Sequence, residues 1–433
     1  MAKKHIAGGA AVLAAALLLA GCGTTGSPAA SEKIEGDITV LTNRTDLVDT
    51  VFQDYKKAFE AKYPDVTVTF EAITAYEDEM PTRMNTEEYG DVALIPTSVT
   101  KDQLPNYFEP LGTVDELKKK YLFVEAEQSF EGNSYGIAIT GNAQGYVYNT
   151  KVWAEAGITE APTTPDEFLA ALQAIKDSTD AVPLYTNYKD GWPLSKWTDE
   201  RGFSEVGGNI ANQTTEIDAP WSEGEEYFIL DSILYDAVAG GLTEADPTTT
   251  NWENSKTLIG SGEVATMVLG SWAIPQMQQA AVDAGGAAED IGYYPFPYQF
   301  DGKFHSPVGG DYKNGINVNS EHKAAARAWI DWFASESGYS TTNDGISPLI
   351  GGELPDTLSS FADLGVEFVS TVPATPGEEG LEAAIYNGAE IDIFGNVYRQ
   401  KLIDIARGAA DGDKDSYFAE LNERWAAARS AAG

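Results

Sequence analysis

The sequence predicts an α/β protein with two lobes, each built on a mixed, mostly parallel sheet that is flanked by helices. Residues 37–70 carry apolar side chains first at strand spacing, then at helix spacing, then at strand spacing again, which is typical of a βαβ unit. The 433-residue chain is 43% hydrophobic and 11% aromatic, which is enough to bury two cores. Beyond the N-terminal segment, no apolar stretch is long enough to cross a bilayer, which favours a globular body.

The N-terminus is predicted to be a signal peptide over residues 1–21. Lys3 and Lys4 precede residues 6–20, which are apolar or small and shorter than the ~20 residues that a membrane-spanning helix needs. Cys22 follows at once and is the only cysteine of the chain, so a disulfide framework is excluded. The Leu-Ala-Gly-Cys run resembles the bacterial lipobox, which implies that Cys22 carries a fatty acyl chain such as palmitate. The alternative is an ordinary signal peptide followed by an incidental cysteine.

Residues 22–36 are rich in Gly, Ser, Thr and Ala and are predicted to form a flexible tether between the lipid and the body. The chain is strongly acidic. Loss of the two lysines of the signal peptide changes the formal net charge from −39 to −41. Such a chain is repelled by nucleic acid and by anionic lipid.

The first candidate ligand-binding residues follow the first strand. We predict strands at 37–42, 66–70 and 91–96, with a helix over 47–59 between the first two. Because ligands of such sheets lie outside the carboxyl ends of the strands, the polar residues after residue 42 are placed to reach one. These residues are Asn43, Arg44 and Asp46.

A crossing between the lobes is predicted near residue 142. Residues 135–139 and 146–149 have strand character, and the segment that joins them offers Asn142 and Gln144 as ligand contacts. A helix follows at 151–155. Thr164 and Pro165 then begin another, with a threonine cap, a proline in the first turn and acidic residues near the positive end of the helix dipole.

The tryptophan-rich half of the chain supplies the aromatic candidates. Residues 262–272 predict a turn, a buried strand and a second turn that presents Trp272, while Trp192 follows a tyrosine and a glycine. Gly309 and Gly310 precede Asp311 and allow close approach of the backbone to a ligand. Further strands are predicted at 293–296 and 315–319, and helices at 323–334, 398–406 and 417–428.

Four stretches, taken in order, resemble the sugar-class extracellular solute-binding proteins of ABC importers, the group that includes maltose-binding protein. Apart from the lipobox, the chain carries YNT at 148–150, AGI at 156–158 and PTTPDEF at 162–168, similar to the family's "YN…AGI…PTTWDEF" with Pro165 in place of tryptophan. Residues 262–272 are similar to "GxxAMxxxGSW", with a departure from this pattern at Thr266. The last of the four stretches is the glycine pair at 309–310, which is followed by Ile316 and Asn317.

The resemblance implies a periplasmic-binding-protein-like fold, with two lobes that close about a hinge on the ligand. It places the first lobe at 37–141 plus 311–345 and the second at 142–310 plus 346–433. Residues 394–399 resemble a late family segment that lines the cleft, which adds Asn396 and Arg399 as candidates. It also implies a monomer on the extracytoplasmic face, held to the cell membrane by lipid alone, that docks on importer permease subunits. No cofactor and no metal are expected.

A carbohydrate, in particular an oligosaccharide, is the ligand that this composition favours. Its hydroxyls need paired donors and acceptors, because each unpaired buried polar group costs about 1–3 kcal/mol. Its C–H faces pack against flat aromatic rings such as that of Trp272. One alternative keeps the fold and changes the ligand to a peptide or a polyamine.

A secreted glycoside hydrolase that uses two carboxylates is the other alternative. With 67 acidic residues some suitable pair is inevitable, so their number does not favour an enzyme. Beyond the signal peptide the only histidines are His305 and His322, which weakens His-based metal sites and a Ser-His-Asp triad. We therefore expect a binding protein without catalytic residues.

Overall fold

The fold is that of a computed structural model that describes residues 33–45, 47–125, 128–204 and 208–433. The predicted signal peptide, Cys22, most of the tether and Asp46 lie outside the described residues. Within the described residues, no helix combines the length and apolar character needed to cross a bilayer.

Short strands alternate with helices along the chain. The strands are β1 (Gly36–Thr42), β2 (Val66–Ala72), β3 (Val92–Leu94), β4 (Gly112–Thr113), β5 (Ser129–Phe130), β6 (Asn133–Ser134), β7 (Thr140–Ala143), β8 (Tyr146–Asn149), β9 (Thr266–Val268), β10 (Ile291–Tyr294), β11 (Gln299–Phe300), β12 (Lys303–Asp311), β13 (Asn314–Ile316) and β14 (Glu367–Ser370). The helices are α1 (Val51–Lys62), α2 (Tyr76–Arg83), α3 (Leu104–Tyr107), α4 (Val114–Leu117), α5 (Thr150–Glu155), α6 (Pro165–Ser178), α7 (Trp192–Asp199), α8 (Ile210–Glu216), α9 (Glu226–Ala239), α10 (Trp252–Ser261), α11 (Ile274–Asp283), α12 (Lys323–Ser335), α13 (Tyr339–Thr342), α14 (Ser359–Asp363), α15 (Leu381–Gly388), α16 (Val397–Ala406) and α17 (Lys414–Ala432).

The first sheet has the strand order β13-β3-β1-β2. Strand β1 runs parallel to both β2 and β3, and β13 is antiparallel to β3. The predicted βαβ unit is therefore confirmed, although α1 begins at Val51 and residues 47–50 form a turn before it. Alternate residues of β1 face α1 and α12, where Ile38 and Val40 pack with Phe59 and Trp329.

The remaining sheets confirm a mixed α/β fold but differ from a mostly parallel arrangement. Strand β8 pairs antiparallel with β9 and β10, whereas β12 runs parallel to β14 and antiparallel to β7. The sequence pattern does not fix strand direction, because a buried strand carries the same apolar run beside a parallel or an antiparallel neighbour. The strand predicted over 135–139 is reduced to a single bridge at Ile137, and the regular strand begins at Thr140.

The start of α6 has the predicted cap. The Thr164 side chain accepts a hydrogen bond from the backbone N–H of Glu167 at 3.2 Å, and Pro165 occupies the first turn. Apolar residues on one side of this helix, among them Phe168 and Leu172, are buried. The local sequence is therefore sufficient to determine where α6 begins.

The buried hydrophobic side chains divide into clusters that draw on separate parts of the chain. One cluster takes its residues from 38–139 and 316–339, with a smaller one from 41–135 beside it. Another takes its residues from 146–296 and 385–428, and a further one from 143–308 and 346–361. The lobe boundaries inferred from the sequence stay a prediction.

Strands β7 and β12 pair in a register that leaves no room for side chains at two facing glycines. Gly141 lies opposite Gly310, and the Phe123 ring packs beneath both. A Cβ at Gly310 would lie 2.6 Å from the Ala138 Cβ and 2.8 Å from the Phe123 Cβ, while one at Gly141 would overlap the Phe123 ring. Phe123 itself has a φ of 59°, a strained conformation for a bulky residue.

Arg399, a candidate ligand contact from the sequence, instead lies in the core. Its Nε donates to Asp231 Oδ1 at 2.9 Å, and both side chains are 0% exposed. Its Nη1 donates to Thr198 Oγ1 at 2.7 Å, and the Trp221 Nε1 donates to the other Asp231 oxygen at 2.7 Å. The candidate role of Arg399 is therefore corrected. Its charge is buried and paired, and it joins α7, α9 and α16.

Replacing Asp231 by alanine should destabilise the fold by about 3–5 kcal/mol, because the Arg399 charge would be left buried without its partner. Urea unfolding measures the change. Glu420→Ala is the control. It breaks the exposed ion pair with Lys401, whose two side chains are each 45% exposed, and should cost less than about 1 kcal/mol. Equal losses for the two variants would contradict this assignment.

Gly141→Ala should destabilise the protein by about 1–3 kcal/mol, since the new methyl group meets the Phe123 ring. In a Phe123→Ala background the same change should cost markedly less. A double-mutant cycle from urea unfolding gives the coupling between the two positions. Additive losses would mean that the ring is not what excludes a side chain at residue 141.

Candidate functional site

A cavity of about 750 Å³ opens along the crossing of β7 and β12. Its size falls within the range of about 300–1,000 Å³ that is typical of small-molecule sites. The wall contains residues from the end of β3, from the crossing strands, from α7, α8 and α15, and from the turn after β9. Among them are Thr97, Lys101, Asn142, Gln144, Lys196, Asp199, Arg201, Asn212, Trp272, Gly309, Gly310, Asp311, Lys313, Glu378, Glu379, Glu382, Tyr386 and Phe394.

A second cavity, of about 430 Å³, lies on the Phe123 side of the crossing. Tyr121, Leu122 and Ile350 contribute to its wall, and it shares Val308 and Gly309 with the larger cavity. None of the sequence-predicted residues that the structure describes lines it. The larger cavity is therefore the candidate site.

Four of the predicted residues meet in this cavity: Asn142, Gln144, Trp272 and Asp311. Antiparallel pairing of β7 with β12 brings Asn142 beside Asp311, and the Asn142 amide donates to Asp311 Oδ2 at 3.1 Å. The backbone N–H of Gln144 donates to Ser306 Oγ at 3.0 Å. Among the described residues, the buried side-chain oxygen of Gln144 has no hydrogen-bond partner.

Trp272 belongs to a group of three indoles at one end of the cavity. Buried strand β9 ends in the turn Ser271–Ala273, and the Ser271 hydroxyl accepts a hydrogen bond from the Ala143 N–H at 3.0 Å. This contact fixes the turn against the crossing. The Trp192 ring centroid lies 5.8 Å from that of Trp272, and Trp252 contacts both rings. Trp192 is outside the cavity wall and 38% exposed.

The other candidates lie elsewhere. Asn43 is exposed after β1. Arg44 donates to the Tyr339 hydroxyl at 2.5 Å and packs over the Tyr312 ring, so it contacts side chains near α13 rather than the cavity. Asn396 stands directly before α16, where its side chain makes no capping hydrogen bond, and lies against Gly191. Arg399 is buried in the core, while Asp46 falls outside the described residues.

The charged wall of the cavity was not predicted from the sequence. Arg201 and Glu382 come together from distant parts of the chain, and nothing in the local pattern around either of them indicates this. Phe394 belongs to the segment 394–399 that the resemblance placed in the cleft. Basic and acidic groups are nearly balanced in number: Lys101, Lys196, Arg201 and Lys313 against Asp199, Asp311, Glu378, Glu379 and Glu382. Lys196 pairs with Asp199 at 2.7 Å and Arg201 with Glu382 at 3.0 Å. The cavity is therefore suited to an uncharged polar ligand.

In the part of the chain that the structure describes, no group of three or more His, Cys, Asp or Glu side chains is placed to hold a metal ion.

A family model described as bacterial extracellular solute-binding protein matches residues 45–339, more than half of the chain. A binding protein of an ABC transporter from Bifidobacterium animalis subsp. lactis, solved in complex with mannobiose, is 36% identical with a TM-score of 0.82. The match covers 92% of this chain and 95% of that chain. A manno-oligosaccharide-specific solute-binding protein from the same organism, in complex with mannotriose, is also 36% identical over the same shares, with a TM-score of 0.81.

Two further proteins are more distant. The maltotriose-binding protein of Pyrococcus abyssi is 23% identical over 296 residues, which cover 66% of this chain and 59% of that protein. The chain thus spans less than two thirds of the length of this curated relative. The raffinose complex of a Streptococcus pneumoniae binding protein is 16% identical with a TM-score of 0.63, and covers 91% of this chain and 100% of that one.

Proposed function

The chain belongs to the bacterial extracellular solute-binding proteins, and from that premise we propose that it captures an oligosaccharide, of the manno-oligosaccharide class, and delivers it to an ABC importer. The family is one of substrate-binding proteins and not of enzymes. One observation carries the proposal: a single cavity joins the Trp272 indole to the amide and carboxylate of the crossing strands. Bound manno-oligosaccharides in the two Bifidobacterium proteins at 36% identity support the class of ligand.

The site chemistry matches the two surfaces of a sugar. The Trp272 ring offers an apolar face, while Asn142 and Asp311 offer a donor and acceptors to hydroxyl groups. The Gln144 side chain lines the same cavity, and among the described residues its buried oxygen has no hydrogen-bond partner. The near balance of charge around the cavity favours this neutral ligand over a polyamine.

Capture proceeds by hinge closure between two lobes, at 37–141 plus 311–345 and 142–310 plus 346–433. The separate hydrophobic clusters support this division, because each lobe then has cores of its own. Residues from the proposed first lobe, such as Thr97 and Asp311, share the cavity with Trp272 of the second. A ligand that contacts both lobes favours the closed form, since only differential affinity shifts such an equilibrium.

The protein works outside the cytoplasm, as its family does. We propose that residues 1–21 are removed as a signal peptide and that Cys22 is acylated with palmitate or a similar chain. The monomer then hangs from the membrane by residues 22–36 and presents its closed form to the permease subunits. The protein has no catalytic activity of its own, and incubation with oligosaccharides should therefore yield no product.

Isothermal titration of the purified body should detect mannobiose or mannotriose with a dissociation constant near micromolar, or about −8 kcal/mol. Maltotriose, raffinose and spermidine complete the panel. Binding of spermidine alone would overturn the carbohydrate assignment, and hydrolysis of any oligosaccharide would overturn the binding function.

Trp272→Ala should weaken oligosaccharide binding at least tenfold, which is about 1.4 kcal/mol, because the cavity loses its stacking face. The control is Phe368→Ala, which truncates a ring that is 37% exposed on β14 and should leave the affinity unchanged. Circular dichroism confirms that both variants are folded. An unchanged affinity in a folded Trp272→Ala protein would remove Trp272 from the site.

A further inference from the structure

Arg201 is a buried cation in the wall of the larger cavity. The residue follows α7 and is only 8% exposed, although it lines the cavity. A charge at such a depth needs specific partners, because desolvation of an unpaired ion is costly. The partners of the Arg201 guanidinium are a carboxylate and two aromatic rings.

Three side chains hold the guanidinium in place. Its Nη1 donates to Glu382 Oε1 of α15 at 3.0 Å. Its central carbon, Cζ, lies 5.1 Å from the Tyr227 ring centroid and 5.3 Å from the Phe394 ring centroid. Both distances are within the range of about 6 Å over which a cation–π interaction acts. The backbone on the C-terminal side of Arg201 is also fixed, because the buried Glu226 carboxylate accepts the N–H of Gly202 at 2.8 Å.

One donor of this fixed group is not used. Among the described residues, the buried Nε of Arg201 has no hydrogen-bond partner. A buried donor left unpaired costs about 1–3 kcal/mol, and more when it is charged. Among the described residues, Arg399 likewise has one buried nitrogen, Nη2, without a partner, while its other donors bond to Asp231, Thr198 and the Leu194 carbonyl. The two arginines differ in position: Arg201 and its partner Glu382 line the cavity, whereas Arg399 is fully buried in the core.

We propose that Arg201 and Glu382 form the specificity-determining pair of this cleft and hydrogen-bond to two adjacent hydroxyl groups of an uncharged sugar. The inference rests on the proposed function and deepens it. Arg201 donates to the oxygen of one hydroxyl, and Glu382 accepts the proton of the next, so the pair fits a vicinal diol. The Phe394 ring, 49% exposed at the cavity, packs on the C–H face of the same sugar unit.

The charge of the pair defines which ligands it rejects. Glu382 already balances Arg201, and Glu378 and Glu379 line the same wall. An acidic sugar would bring its carboxylate close to these three carboxylates, and a polyamine would bring cations to Arg201. A neutral diol satisfies both members of the pair without adding charge.

The test compares Arg201→Lys and Glu382→Gln with the unaltered protein by titration with mannotriose, maltotriose, raffinose and digalacturonate. Arg201→Lys keeps the charge but loses the fork of donors, and Glu382→Gln keeps the shape but loses the charge. Each should weaken binding of the preferred oligosaccharide at least tenfold. Each should also bring the affinities for the different neutral sugars closer to one another. The double variant should be little worse than either single one, because Arg201 and Glu382 hold each other in place and loss of either disturbs both contacts with the diol.

Asp236→Asn is the matched control, because Asp236 pairs with Lys414 at 2.9 Å outside the cavity, and it should leave both affinity and ratio unchanged. Melting temperatures of the ligand-free variants identify a purely structural effect, which would not alter the ratio between sugars. If the unaltered protein binds neutral oligosaccharides and both variants keep its affinity ratio, the inference is overturned while the proposed function stands. If digalacturonate binds more tightly than every neutral sugar, the neutral-diol assignment is overturned. Absence of binding to any sugar overturns both proposals.

Discussion

The close approach of β7 and β12 is the constraint on which the site depends. Their antiparallel register places Asn142 against Gly309 and Thr140 against Asp311, and it brings the Asn142 amide to the Asp311 carboxylate. The register is possible because Gly141 and Gly310 lack side chains where the Phe123 ring packs beneath them. A shift by one residue would move every side chain of the strand to the opposite face. The polar groups of the cavity would then be replaced by the glycines.

The same strands connect the hydrophobic clusters on either side of the cavity. Ser271, at the end of β9, receives its hydrogen bond from the Ala143 backbone, so the turn that carries Trp272 is attached to the crossing rather than to a mobile loop. The Tyr293 hydroxyl donates to the carbonyls of Ala143 and Leu269 and ties β10 to the same point. The aromatic and polar parts of the cavity are therefore positioned by one set of backbone contacts.

Elements that depend on neighbours in the chain could be predicted from the sequence, and those that depend on distant partners could not. The cap at Thr164, the order of β1, α1 and β2 and the turn that carries Trp272 follow from local spacing. The burial of Arg399 depends on Asp231, 168 residues away, and the placement of Arg201 depends on Glu382, 181 residues away. From the family-like segment at 394–399, the sequence analysis selected Asn396 and Arg399 as ligand contacts and left out Phe394. Phe394 lines the cavity, whereas Arg399 points into the core.

The two arginines illustrate why residue type alone does not assign function. Each is almost fully buried and each pairs with a carboxylate, and the sequence around neither one distinguishes them. The difference lies in what surrounds the pair. Arg399 lies against Asp231, Thr198 and a backbone carbonyl inside a packed core, which leaves no opening for a ligand. Arg201 lies at a wall that also carries Glu382 and the exposed ring of Phe394, so this ion pair borders the cavity. The formal net charge of −39 then has little bearing on the cavity, because the four basic and five acidic side chains that line it nearly cancel.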